Sequence, residues 1–291
     1  MCLPLDAGPP PAARPNGSPW TNLLIRMAEE TEIDGSVRLA GDLLPVPSRC
    51  RLVGAALADA LYARYFGAPP AGPALRRGGR RGAETFRRLA DAQRSEFLGR
   101  AGWTFRFRRE DGVPVFVVTA GIGPGSGPGS GPGSPAASCF LDLSPGIAPE
   151  VFARLVTTLD GHGLAFSAQL RGGATDPERM GVAVVTVARA HAPAVARVAL
   201  QMRERSPLVF GRTVAPFARA LAPGIGLADE PPDGTGFGRH RCRLVAAALV
   251  AAGPGAGPAD RRDAVLRSLS ESGLDLAALH LNPGRPEFGI G

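Results

Sequence analysis

Apolar positions change their spacing several times along the chain, and each change marks an element. Leu23, Leu24 and Met27 within Trp20–Glu32 are spaced for a short docking helix. Val53, Leu57, Leu61 and Tyr65 recur four apart, one face of an amphipathic helix over Val53–Tyr65, and a second helix is expected near Ala83–Leu98. At Trp103 the period falls to two. Trp103, Phe105 and Phe107 alternate with Thr104, Arg106 and Arg108, and Glu110–Gly112 turns this strand into Val113–Thr119 as a hairpin. Strands follow at Cys139–Leu143, Leu164–Leu170 and Val182–Ala188, with helices at Ala148–Gly161 and Ala192–Glu204. Leu208–Ala220 is expected as an irregular strand and Ala222–Thr235 as a Pro/Gly loop, before helices at Arg239–Ala252 and Asp260–Ser272. The β-α-β-β-α-β run from Cys139 to Phe217 predicts an α+β fold, a mixed sheet with packed helices in a single main domain.

Residues 1–50 are expected to be an N-terminal extension carrying the docking helix, and residues 51–291 the main domain. Three Gly-Pro-Gly-Ser copies within 123–134 interrupt it. Without a lysine, and without a strand–loop–helix frame, this stretch is a flexible linker and not a phosphate loop. No apolar run approaches the roughly 18 residues of a membrane span, and Met1–Pro19 lacks the pattern of a secretory signal. A cytoplasmic protein with no membrane partner is expected. Cys2, Cys50, Cys139 and Cys242 are scattered, so free thiols and no metal site are expected.

Charge sharpens the chemistry. Net charge is +7, and all 33 basic residues are arginine. No amine is available for a Schiff base, a P-loop or proton abstraction, whereas arginine binds anions at any relevant pH. The densest basic region, Arg76–Arg109, lacks lysine and interleaved exposed aromatics, which favours a solvated face or a peptide- or partner-docking strip over nucleic acid.

The segment Asp233–Val245 places glycines at 234, 236 and 238 before a helix start. Free N–H groups there attract anions, and Arg241 and His240 lean toward the packed side while Arg239 and Arg243 lean away. This pair suits a phosphoryl group. The alternative is a structural contact between an arginine and Asp229 or Glu230. Arg212 and Arg219 flank the segment leading into this loop, and Arg171 ends a strand that could join them. His162, His191 and His280 are expected to be structural or solvated, and Ser144 lacks a nucleophile-elbow context.

Leu61–Tyr65, Ala101–Trp103, Phe140–Pro145 with Ala148–Phe152, and Gly163–Phe166 together resemble the HopA-type family, named for a type III secretion effector. Its bacterial relatives include the lyase components of class V lanthipeptide and thioamitide biosynthesis. Most specific are Leu221–Pro231 followed by Gly236–Cys242, and Leu281–Gly284 fits too. The likeness runs from about residue 51 onward.

It implies an enzyme that eliminates phosphate from phosphoserine or phosphothreonine in a precursor peptide, leaving dehydroalanine or dehydrobutyrine. A separate Ser/Thr kinase would install the phosphate, a cyclase is a further partner, and no cofactor is implied. The family pattern has lysine shortly after the position of Phe166 and another within the stretch matching Phe217–Leu221. Here those positions are Gln169 and Arg219. On this reading His240 is the acid/base candidate, with Glu230 or Asp229 behind it, and Arg171, Arg212, Arg219 and Arg241 hold the phosphate. The alternative is a non-catalytic phosphopeptide-binding or scaffold subunit, and a third reading is an effector acting on host phosphoproteins.

Overall fold

The computed structural model describes residues 20–34, 36–44, 50–66, 100, 102–110, 113–121, 135–144, 147–171 and 182–290. The expected helix near 83–98, the 67–82 loop, the 123–134 linker and the turn around 176–177 lie outside the described residues. Helix α1 (Thr21–Glu30) leads into a small antiparallel sheet of β1 (Thr31–Ile33), β2 (Val37–Leu39) and β3 (Asp42–Leu43). Helix α2 (Cys50–Tyr65) follows, with Leu57 and Leu61 buried on the predicted face.

The main sheet is built from β4 (Trp103–Glu110), β5 (Val113–Ala120), β6 (Ala136–Asp142), β7 (Phe166–Arg171), β8 (Val182–Ala188), β9 (Arg219–Ala222) and β10 (Ile225–Asp229). Helices α3 (Ala148–Gly161), α4 (Ala192–Arg205), α5 (Phe237–Ala251) and α6 (Pro258–Glu271) complete the described elements. Pro149, Pro193 and Pro258 each stand in the first turn of a helix, where a missing N–H costs nothing.

The α+β class is as expected, but every neighbouring pair in the main sheet is antiparallel, not mixed. Strand order is β4-β5-β7-β8-β6-β10-β9. Strands β6 and β7 do run parallel across α3, yet β8 slots between them and pairs antiparallel with both. The crossover skips one strand, so the parallel relation never becomes a ladder.

One sheet face carries Val118, Cys139, Leu141, Leu170, Val185 and Leu227 into a core closed by Phe152, Leu155, Val195 and Ala199 of α3 and α4. Burial pushes the Cys139 thiol up to about 12, so it is an inert core residue. On the other face, Phe140 and Ala228 meet a second core built from α1, α2, α5 and α6 around Leu61, Phe217 and Phe237. The first helix is part of that core: Leu24, Met27 and Ala28 are buried, and the Arg261 Nε donates to the Ala28 carbonyl at 2.9 Å.

The stretch expected as a loop holds strand β10, all five residues of which are buried. Gly226 explains the disguise. A Cβ there would lie 2.8 Å from the Val214 Cγ1, so the side of the strand facing the second core has been emptied of bulk. Conversely, Leu208–Ala220 is mostly irregular, a 3₁₀ turn at Pro207–Val209 followed by a segment in which buried Phe217 sits at φ 61°. Its ring is held 6.3 Å from Trp20 and 6.1 Å from Phe66, contacts that fix a backbone state unusual for a bulky side chain. Phe107, expected on the buried face of β4, is 44% exposed because only Trp103 and Phe105 reach the core.

Candidate anion-binding site

The glycine-rich entry to α5 is the helix start at which the sequence predicts an anion. Gly236 takes φ 84° at the N-cap, and the amide of Phe237 donates to Glu230 Oε2 at 3.1 Å. The anion at this helix start is therefore the protein's own carboxylate. Burial raises the Glu230 pKa, against hydrogen bonds from Ser138 and the Phe237 amide and the charge of Arg241.

Arg241, expected to bind phosphate, is 1% exposed and committed elsewhere. Its Nε donates to the Leu279 carbonyl at 3.0 Å, and one terminal nitrogen donates to the Leu281 carbonyl at 2.8 Å. The other donates to His240 Nδ1 at 2.8 Å, and the guanidinium stacks over Phe237 at 5.1 Å. Burial lowers its pKa to about 10, opposed by the charges of Asp229 and Glu230. Arg241 is a clasp on the segment that follows α6. The structural role weighed from the sequence is the one it fills, with backbone carbonyls and not carboxylates as direct partners.

Asn282 and Asp229 complete the clasp. Asn282 donates through its side-chain amide to the Glu230 carbonyl at 2.7 Å and through its backbone to Asp229 Oδ2 at 3.1 Å. Asp229 Oδ1 accepts from Arg189 Nε at 2.6 Å, and its amide donates to the His280 carbonyl at 2.8 Å. Both backup carboxylates are thus partnered: Asp229 in an ion pair, Glu230 at the helix start.

The geometry also changes the role of His240. An arginine has no acceptor, so Nδ1 must supply the lone pair and the neutral ring carries its proton on Nε2. Burial lowers the His240 pKa, reinforced by Arg241 and Arg243 and opposed by Asp233. In this state His240 offers an N–H donor at Nε2, while the Nδ1 lone pair is taken by Arg241.

The four arginines do not converge. Arg219 lies on edge strand β9 and donates to Glu287 Oε2 at 2.7 Å, and Arg212 is exposed in the segment before it. Arg171 ends β7, four strands away, a separation of about 19 Å at the usual strand spacing. No single phosphate bridges that gap.

Arg171 instead belongs to a different cluster. One of its terminal nitrogens donates to the Tyr62 hydroxyl at 3.3 Å. The Arg239 guanidinium stacks over the same Tyr62 ring at 4.5 Å and reaches Asp59 Oδ1 at 3.1 Å. The expectation that Arg239 is merely solvated misses this stacking. Tyr62 itself stacks on Phe66 at 5.5 Å, and that ring leaves no room for a Cβ on Gly238, which would stand 2.5 Å from it. Arg171 shares its sheet face with Gln169 and Ser167, since alternate residues of β7 are buried on the opposite face.

Register extends that face. Thr104, Thr119, Ser167, Thr186 and Ser138 form one row across five strands, and Arg106, Val117, Gln169 and Val184 form the next. Ser138 and Thr186 are 2.7 Å apart, and Ser138 joins the row to Glu230. A hydroxyl-lined sheet face beside two guanidiniums and a phenol can bind an oxyanion and polarise a neighbouring carbonyl. Among the described residues no group of His, Cys, Asp and Glu is placed to hold a metal, and no helix is long and apolar enough to cross a membrane.

The family model of the HopA1 effector protein family matches residues 117–281, from the middle of β5 to the segment that Arg241 clasps. The chain belongs to the HopA1 effector protein family. Its fold is similar to that of an effector protein from Pseudomonas syringae pv. syringae strain 61, with a TM-score of 0.54 at 13% identity, covering 92% of this chain and 99% of that one. An effector from Pseudomonas syringae pv. tomato strain DC3000 aligns with a TM-score of 0.49 at 16% identity, over 70% of this chain and 82% of that one. None of the curated proteins matches in sequence. Most of the clasp lies within the matched span: Asp229, Glu230, Arg241 and the Leu279 and Leu281 carbonyls fall inside it, and Asn282 stands one residue beyond. Tyr62 lies outside the matched span of the HopA1 model. Its readable signals are that it lies within the resembling segment Leu61–Tyr65 and is an aromatic polar residue one step off the Leu61 face.

Proposed function

We propose that this chain is a phosphoserine/phosphothreonine lyase acting on a kinase-phosphorylated precursor peptide in lanthipeptide or thioamitide biosynthesis. The observation that carries the reading is the pair of guanidiniums, Arg171 and Arg239, gathered on the Tyr62 side chain. The family resemblance adds the reaction class. In the elimination the Cα proton passes to a base, the Cα–Cβ double bond forms, and the Cβ–O bond breaks. Phosphate leaves with the bridging oxygen and the bond's electron pair. Arg171 and Arg239 neutralise the departing dianion, and the Tyr62 hydroxyl, which accepts from Arg171, is the acid/base group of this cluster. His240 Nε2–H is a donor for a carbonyl whose charge grows as the proton leaves.

A second reading is a non-catalytic phosphopeptide-binding subunit of the peptide-modifying complex. It is favoured by the occupied Nδ1 of His240 and by Gln169, which cannot accept a proton at the position where the family pattern has lysine. Incubation with a phosphorylated precursor, followed by peptide mass, separates the two. Loss of phosphoric acid that Tyr62→Phe abolishes and Arg239→Ala slows supports the lyase. Binding without mass change supports the second reading, and neither binding nor mass change ends both.

A further inference from the structure

We infer that Arg219 and His280 form a second anion site, for a phosphomonoester or free phosphate, which the chain's own Glu287 occupies in this structure. One Glu287 carboxylate oxygen accepts from Arg219 at 2.7 Å, and the other lies 3.0 Å from His280 Nε2. The His280 side chain is 5% exposed, whereas Glu287 is 54% exposed. Neither ring nitrogen of His280 completes a hydrogen bond among the described residues, so the approach to Glu287 is close but misaligned. A buried donor left unsatisfied is costly, and an oxyanion with more oxygens to offer can align with it as the carboxylate does not. Sequence reasoning set His280 aside as structural or solvated.

The Glu287 side chain is free to leave because the backbone around it is held by other groups. Arg189 donates to the Pro286 carbonyl and stacks over Phe288 at 4.5 Å, and Phe288 is buried in the first core. Arg241 holds Leu279 and Leu281. The Arg219–Glu287 pair is half in water, where an ion pair contributes little, so a ligand displaces the carboxylate at small cost. Arg219 also reaches the Phe288 carbonyl at 3.5 Å, which keeps its guanidinium aimed at the site when Glu287 swings out. The nearby carboxylate of Asp229 is taken by Arg189 and does not compete.

Arg219 stands four strands from Arg171 of the Tyr62 cluster, and the site does not rest on the lyase reading. The experiment is titration of the full chain with inorganic phosphate, and separately with phosphothreonine, while the histidine ring resonances are followed by NMR. Only four histidines contribute, and His280→Asn assigns the relevant one. Glu287→Ala is expected to tighten phosphate binding about 5- to 10-fold, the size set by losing an exposed competing ion pair. The His280 resonance should move with saturation, and Arg219→Gln should remove the shift. A His280 resonance that stays fixed in Glu287→Ala at saturating phosphate overturns the proposal. So does an unchanged shift in Arg219→Gln. Binding that moves His240 and not His280 points to the other cluster alone and equally overturns it.

Discussion

Replacing Arg241 with alanine tests the assignment of this residue to the fold and not to a ligand. The change leaves the Leu279 and Leu281 carbonyls without a charged donor, each worth about 2 kcal/mol, and orphans His240 Nδ1 for about 1 kcal/mol more. Relief of the guanidinium's burial, visible in its lowered pKa, returns part of this. A net loss of about 3 kcal/mol is expected. Spread over a domain of this size, that lowers the melting temperature by about 6 to 12 °C.

Arg239→Ala is the control, since its ion pair with Asp59 is exposed and its removal costs less than about 1 kcal/mol. Urea unfolding followed by circular dichroism reads both variants, and hydrogen exchange reads the amides of residues 279–288 separately. Those amides should lose protection first in Arg241→Ala. Two variants of equal stability, or an Arg241→Ala protein that keeps the 279–288 amides protected, would refute the clasp.

Gly224→Ala should destabilise by about 2 kcal/mol or more, because φ 78° is combined with a Cβ only 2.5 Å from the Gly211 carbonyl oxygen. Gly234→Ala, at φ 69° with open space around it, should cost about 1 kcal/mol, and equal losses in urea would contradict the packing at Gly224. Glu230 gives a pH prediction. Its folded pKa is raised, so protonation favours the native state, and stability present below the ordinary value of ~4.3 is lost as pH rises through the folded pKa. Subtracting the pH–stability curve of Glu230→Gln from that of the wild type should leave this downward slope. A flat or rising difference shows that the carboxyl is not disfavoured by burial.

Periodicity made most of the scaffold readable. Helix α2, the β4–β5 hairpin and the three helices α3, α4 and α6 follow directly from spacing and from proline at helix starts. Two things were hidden. Strand β10 is fully buried yet carries Gly226 and Ala228 on one face, and Val214 and Ala218 approach Gly226 too closely for a side chain there. Composition therefore suggested a loop.

The site was misjudged for a related reason. Helical phase correctly turned Arg241 inward, but an inward arginine can meet carbonyls as well as phosphate, and the carbonyls of Leu279 and Leu281 arrive from a segment 38 and 40 residues away. Nor does spacing reveal that Tyr62 of α2 meets Arg171 across 109 residues. Strand order, which set Arg171 and Arg219 apart, depends on β8 being inserted between β6 and β7, and no local pattern records that.

The clasp also has a bearing on how the molecule is made. Strand β10 sits between β6 and β9, yet Asp229, Glu230 and Arg241 gain their last partners only from residues 279–282. Until residues 279–282 dock, the next-to-edge strand and helix α5 hold a carboxylate and a guanidinium whose hydrogen-bonding groups lack these partners. Docking of this one short late segment is therefore the step that completes the interior around them.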